Sequence, residues 1–354
     1  MKSFPLVIAE LEARANKAAR LNVETGASQP IKFEFSSGCQ DISSTIDLPE
    51  ESFVNVLYFL DGHELINASL VSKVWLSVTR LPVVWEDGLD MSRLNDKKSF
   101  TMSGLVKLLK EPQFASLKAL AMPNKVKLGQ SGVKQMAKAL PHLEMLDLTN
   151  TKAKDKDLLD VIEHFPSLHS LRIDTWNATS FGIAQAVRAI GGHLLELRIK
   201  ADIGRFGTYG MEVIASSCPN LGYFAYKNNH YYYSDSDHQY FSQAVTGDDI
   251  VTLVRSCRRL ETLELINSSR HVKQHSFVQI AELVANDLEG HALRNIVGYG
   301  LSPRGAEWFD IRELLSKYTF LNVKDEYYSS KLGKGVVFWS KYERKERGSI
   351  NYTD

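Results

Sequence analysis

Cysteine is scarce: three in 354 residues, Cys39, Cys218 and Cys257, far apart in the chain. That spacing excludes a disulfide-stapled framework and fits reduced packing residues of an intracellular protein. Net charge is lacking too. Lysine plus arginine and aspartate plus glutamate number 42 each, so no overall field points to nucleic acid or to a membrane surface. No apolar stretch approaches the length of a membrane span. The first apolar run, Phe4 to Ala9, is too short for a signal core and is followed by Glu10 and Glu12, so neither secretion nor a transit peptide is expected. A cytoplasmic or nuclear location, or both, is the expectation, with no nucleic acid and no membrane among the partners.

Catalytic signatures are missing as well. There is no His-Glu-x-x-His, paired Cys-x-x-Cys, Gly-x-Ser-x-Gly or phosphate-loop pattern. The run Gly204-Arg205-Phe206-Gly207-Thr208-Tyr209-Gly210 lies between a strand-like and a helix-like segment, where glycines make a turn. His230 to His238 offers two histidines and two aspartates, but its tyrosine- and serine-rich composition reads as a surface loop rather than a metal site. The expectation is therefore a protein without catalytic residues, cofactor or metal of its own.

What the chain does have is a repeat. Leu-x-x-Leu-x-Leu recurs as Leu117/Leu120/Met122, Leu143/Leu146/Leu148, Leu168/Leu171/Ile173, Leu194/Leu197/Ile199, Leu221/Phe224/Tyr226 and Leu260/Leu263/Leu265, with a degenerate copy at Leu293/Ile296/Gly298. The intervals between first positions are 26, 25, 26, 27, 39 and 33 residues, so two of them carry insertions. Between these strands lie stretches with apolar residues three or four apart: Val133, Met136, Ala137, Leu140; Leu158, Leu159, Ile162, Phe165; Ile250, Leu253, Val254, Cys257. Proline stops most of them three residues before the next strand, as in Leu-Pro-His-Leu, Phe-Pro-Ser-Leu and Cys-Pro-Asn-Leu. A strand plus a helix at this period is the leucine-rich repeat. The fold class expected is α/β: a right-handed leucine-rich-repeat solenoid of about seven repeats, with a parallel concave sheet inside and helices on the convex back. A doubly wound sheet would need strands apolar on both faces, and the alternating polar positions argue against it.

Upstream of the repeats, Leu48-Pro49-Glu50-Glu51 opens a helical run through Phe53, Val54, Val56, Leu57 and Leu60, with its acids in the first turn. Asp61-Gly62-His63 breaks that helix. A second run extends from Glu64 to Trp75, and Leu81-Pro82-Val83-Val84-Trp85 ends the unit. Leu-Pro, then Ala-Ser-Leu-Val-x-Lys-x-Trp, then Pro-x-x-Trp resembles an F-box. Ser52 stands where that family usually has Leu, Ser72 where it has Cys, and Leu76 where a basic residue is common. About forty residues in short helices bury too little surface to stand alone, so another protein or domain is expected to cover part of it. Trp75 is read as a packing residue whose truncation costs about 3 to 5 kcal/mol if the indole is buried.

The resemblance implies the rest. An F-box docks on a Skp-type adaptor, through it on a cullin and a RING subunit, and the repeats behind it hold a protein substrate for ubiquitination. The chain thus resembles the substrate receptors of cullin-based ubiquitin ligases; the alternative is a scaffold whose F-box does not recruit a cullin. Carried onto this sequence, the adaptor-binding positions are Leu48, Pro49, Val56, Leu57, Leu60, Leu65, Val71 and Trp75. Strand alternation aims Asp147, Arg172, Asp174, Arg198, Lys200, Tyr223, Lys227 and Glu264 at the concave face. Of these, Arg172, Arg198, Lys200, Tyr223 and Lys227 are candidates to bind an acidic or phosphorylated degron, the competing reading being a mixed-charge face paired with Asp174 and Glu196. Tyr231, Tyr232 and Tyr233, in the insertion behind the 39-residue interval, are candidates to clamp a substrate. Seven strands would make an arc of about 30 Å, room for an extended peptide of about nine residues. The expected layout is an N-terminal extension over 1–45, the F-box over 46–90, the solenoid over 91–325, and over 326–354 a cap strand at Val336 to Trp339 with a tail.

Overall fold

The computed structural model describes residues 57, 60, 62–71, 73–85, 88–92, 101–201, 205–228, 245–266, 272–299, 313 and 315–325. The expectations placed on 1–45, on Leu48, Pro49 and Val56, on Tyr231 to Tyr233 and on the cap strand after residue 326 lie outside the described residues. Three short helices come first, α1 (Gly62–Ser69), α2 (Lys73–Thr79) and α3 (Pro82–Trp85), followed by strand β1 (Leu89–Asp90). Then helices α4 (Met102–Leu109), α5 (Gln130–Ala139), α6 (Asp155–His164), α7 (Ser180–Ile190), α8 (Thr208–Ser217), α9 (Gly247–Ser256) and α10 (Gln274–Ala285) alternate with strands. These are β2 (Ala119–Ala121), β3 (Met145–Asp147), β4 (Ser170–Asp174), β5 (Glu196–Ala201), β6 (Tyr223–Asn228), β7 (Thr262–Ile266), β8 (Asn295–Tyr299) and β9 (Asn322–Asp325). All nine strands form one parallel sheet in strict chain order, and consecutive helices pack on one another from α4 to α10. This is the leucine-rich-repeat solenoid that the period implies.

Four of the repeats turn the same corner. The residue after the helix, Leu140, Phe165, Cys218 or Cys257, is buried, and its N–H still bonds the carbonyl four residues back. Pro141, Pro166 and Pro219 follow three of these corners and cannot continue the helix. Buried at this corner, the Cys218 and Cys257 thiols are both pushed up to about 12 by loss of hydration, so neither is a reactive thiolate. The repeat leucines Leu120, Leu171, Leu197 and Leu263 have no exposed surface, and a single core runs from Leu57 to Leu321.

Several expectations need correction. Among the described residues the sheet has nine strands, two beyond the seven that carry the repeat pattern, because Leu89–Asp90 and Asn322–Asp325 also pair into it. Nine strands make an arc of about 38 Å. A two-residue strand without a repeat leucine triplet gives no periodic signal, so the sequence does not separate β1 from the helical unit before it. The boundary drawn after residue 90 therefore falls just inside the sheet. The helix expected from Glu64 to Trp75 is two helices, since the chain turns at Leu70–Val71, with Val71 N–H donating to Ala68 O at 3.0 Å. Leu57 is helical, Leu60 lies in a bend and Gly62 opens α1, so the expected break between the two helical runs falls at the start of α1. Leu159 is 43% exposed instead of joining the apolar face of α6.

The described part of the glycine run behaves as a turn. Phe206 is buried at 1% exposure, and a Cβ on Gly210 would meet its ring at 2.5 Å, so glycine is required there by packing. Among the described residues, no group of three or more His, Cys, Asp and Glu could hold a metal ion, and no helix is long and apolar enough to cross a membrane.

Trp85 joins the two regions. Its Nε1 donates to Thr79 O at 2.5 Å, and its ring meets Phe114 edge to face at 5.0 Å between centroids. Gly88, at φ 148°, then takes a backbone conformation that favours glycine and turns the chain into β1. Trp75, by contrast, is only partly buried against the core. Trp85→Ala is therefore expected to cost about 3 to 5 kcal/mol and Trp75→Ala clearly less, read from urea unfolding.

His291 lies buried between α10 and β8, and burial, then Arg258, holds its imidazole below the ordinary value of 6.5 while Asp287 opposes the shift. The unfolded chain then binds more protons just below pH 6.5, so stability is complete above that value and is lost as pH falls through the folded-state value. Between about pH 7 and pH 5 the wild type should lose more melting temperature than His291→Gln.

Candidate protein-interaction surfaces

In the F-box region, Leu57 and Leu65 are buried at 0% and 3% exposure, in the chain's own core. Without accessible surface they serve an adaptor only by holding the helices in place. Leu60, Val71 and Trp75 keep partial exposure. Among the described residues of this region, the most exposed apolar side chains are outside the expected set: Leu70, 77% exposed, and Val83, 40% exposed. Leu70 falls in the turn between α1 and α2, so a reading that ran one helix through it could not assign its face.

On the sheet, register lines up the inward-facing positions in rows. One row includes Asp147, Arg172, Arg198, Ala225 and Glu264 and continues to Val297 and Lys324; the row before it includes Glu196, Tyr223, Thr262, Asn295 and Asn322; the row after it runs Asp174, Lys200, Lys227, Ile266 and Tyr299. Charges of the first two rows close on one another. Arg172 reaches Glu196 at 3.3 Å and Asp147 at 3.8 Å; Arg198 reaches the same Glu196 oxygen at 2.6 Å and Glu264 at 3.7 Å. The Arg198 guanidinium also lies 4.2 Å from the centre of the Tyr223 ring, whose hydroxyl donates to Glu264. Arg172, Glu196 and Glu264 are all buried. Loss of hydration, then the neighbouring Arg198 charge, holds the Arg172 guanidinium below its ordinary value, while Glu196 and Asp147 oppose this.

The pairing with Glu196 is the part of the mixed-charge reading that the geometry carries. A phosphate approaching Arg172 or Arg198 would have to displace Glu196 and Glu264, which repel it. Asp174 is engaged differently, accepting from the backbone N–H groups of Asn150 and, at 3.2 Å, Trp176. Lys200 and Lys227 stand apart from the network at the far end of β5 and β6, with Lys200 Nζ donating to the neutral Asn150 Oδ1 at 2.6 Å. The four basic residues expected to act together thus divide into two locked arginines and two lysines beside the strand-to-helix loops.

Breaking a buried ion pair leaves an uncompensated charge. Glu196→Gln, which leaves Arg172 and Arg198 facing each other, should cost about 3 kcal/mol in urea unfolding. Asp287→Asn breaks an exposed pair with Arg258 at 3.4 Å and should cost less than about 1 kcal/mol.

Comparison with known proteins adds the family. An F-box domain profile matches residues 46–87. No curated protein sequence matches the chain. Among solved structures, the leucine-rich repeat-containing protein LegL7 of Legionella pneumophila aligns over 70% of this chain and 77% of its own, at 16% identity and a TM-score of 0.47. The Rad7 and Elc1 complex in yeast provides a chain aligned over 85% of this one and 68% of its own, at 17% identity and a TM-score of 0.40. The tropomodulin C-terminal domain of Caenorhabditis elegans aligns over 40% of this chain and 89% of its own, at 19% identity and a TM-score of 0.28. With its own strand order, helix stacking and repeat corners already described, the chain carries an F-box domain followed by a leucine-rich-repeat solenoid.

Proposed function

We propose that this chain is the substrate-recognition subunit of a cullin-RING ubiquitin ligase. Its F-box binds a Skp-type adaptor, its solenoid holds a protein substrate, and other subunits transfer ubiquitin to a substrate lysine. The observation that carries this reading is the F-box match at 46–87, joined through the buried Trp85 to a repeat array with a polar inward face. No chemistry is asked of the chain itself. The gain is in effective concentration and orientation, which a stiff joint between the two modules preserves.

Ser52 and Ser72, where the family has Leu and Cys, favour a second reading, a scaffold that does not recruit a cullin. One experiment separates them: purification of the tagged chain and of Leu48→Ala/Pro49→Ala from cells, with mass spectrometry of the co-eluting proteins. Adaptor and cullin are expected with the wild type and should fall at least about tenfold in the variant, the loss of roughly 1.4 kcal/mol of binding. A folded wild type that brings down neither would give the scaffold reading first place.

A further inference from the structure

Parallel strands in chain order all leave the sheet at the same edge, so the strand-to-helix loops of successive repeats lie side by side. Hydrogen bonds confirm the adjacency. Lys125 N–H donates to Asn150 O at 2.7 Å, Thr179 N–H and Oγ1 both donate to the Asp155 carboxylate at 2.7 Å, and Arg205 Nη1 donates to Trp176 O at 2.7 Å.

Two kinds of side chain project from this edge. Trp176, Phe181 and Tyr209 are 67%, 57% and 43% exposed, and they are all the aromatics among the exposed large apolar side chains described. Phe181 and Tyr209 stack with centroids 6.3 Å apart and planes 11° from parallel, which makes a ready-formed apolar ledge across α7 and α8. Beside it, Lys152, Lys154, Lys156 and Arg205 are exposed. The carboxylates of the same loops are more enclosed and hold backbone: Asp155 accepts from Thr179, Asp157 from Lys154 N–H at 2.9 Å, and Asp174 from Asn150 and Trp176. Asn177 Nδ2 in the Trp176 loop and Ser180 Oγ at the start of α7 are buried without a hydrogen-bond partner.

Exposed aromatics clustered with cations mark a binding surface rather than a solvated one, since tyrosine, tryptophan and arginine supply most interface energy. We propose that this loop edge, and not the charge network on the sheet, is where the partner engages, and that the partner is an acidic peptide segment carrying aromatic or aliphatic residues. Its apolar side chains rest on Trp176 and the Phe181–Tyr209 ledge; its carboxylates face Lys152, Lys154, Lys156 and Arg205. A nucleic acid fits less well, because the chain carries no net charge to draw in a long polyanion, with 42 basic and 42 acidic residues. The inference rests on the receptor reading and names the class of substrate segment.

The test selects a displayed library of random 16-residue peptides on the full-length chain, then measures the enriched peptides by fluorescence anisotropy against wild type, Trp176→Ala/Phe181→Ala and Lys152→Glu/Lys154→Glu. A single-stranded oligonucleotide is titrated in parallel, and sedimentation reports self-association. Enriched peptides should be acidic with apolar anchors, should lose at least tenfold affinity to either variant, and should bind more weakly as salt rises. Basic or neutral winners, equal affinity for the variants, tighter binding of the oligonucleotide, or wild-type dimers lost on Trp176→Ala/Phe181→Ala would each overturn the proposal. Both variants replace exposed residues, and an unchanged melting temperature confirms their fold. Adaptor retention, measured on the same variants, stays independent: its absence from the wild type counts against the receptor reading, while its presence without peptide binding counts against the loop edge alone.

Discussion

A unit of one short strand and one helix cannot enclose the leucines it carries. Leu171 and Ile173 of β4 are at 0% and 1% exposure only because the neighbouring strands and the helices behind them close over both sides. Every repeat therefore depends on the next, and the array must be closed at its ends. At the first end the structure shows how: α1 packs on β1, and α3 packs on the turn that holds Phe114. The helices of the F-box region are thus the cap of the solenoid as well as a separate recognition module. Leu57, Leu65 and Trp85 belong to the cap, while Leu70 and Val83 point their surface outward.

The same stacking explains the sheet's charge network. Register places Arg172 beside Arg198 in adjacent strands, a juxtaposition that would be repulsive alone. Glu196, one pleat back on β5, sits where one oxygen serves both guanidiniums, and Glu264 with Tyr223 closes the far side. Arginine suits this role better than lysine, because its planar group donates in several directions and remains charged when partly dehydrated. The cost is that these arginines already have acceptors. The proposed recognition at the loop edge uses other cations, with Lys200 and Lys227 at its border.

How much of this the sequence shows depends on periodicity. The repeat leucines, the proline corners and the Leu-Pro to Pro-x-x-Trp spacing are regular enough to specify the solenoid and the F-box before any coordinates. β1 and β9 escape because terminal strands drop the leucine pattern that neighbours impose on internal ones. Alternation assigns Arg172 and Arg198 to the inward face and offers Glu196 as a partner, but cannot choose between that pairing and arginines left for a ligand; the cross-strand contact of Arg172 with Glu196, 24 residues away, decides it. Trp176, Phe181 and Tyr209 escape for another reason: each lies in or next to a loop, where no period governs exposure, and only the stacking of repeats brings Phe181 of α7 to Tyr209 of α8.

Geometry also limits how a receptor of this shape works. The loop edge at β4 and β5 is three to four strand spacings from β1, about 15 to 20 Å, and the Trp85 joint leaves little freedom over that span. A segment held there is carried close to the F-box and at a fixed attitude to it. On the proposed ligase reading, reach toward the site of ubiquitin transfer must then come from the substrate. A flexible chain of n residues spans about 5 to 6 Å times the square root of n, so distance grows slowly with spacer length while effective concentration falls. On that reading the chain favours substrates whose acceptor lysine is separated from the bound segment by a spacer matched to that gap over those whose lysine lies immediately beside it.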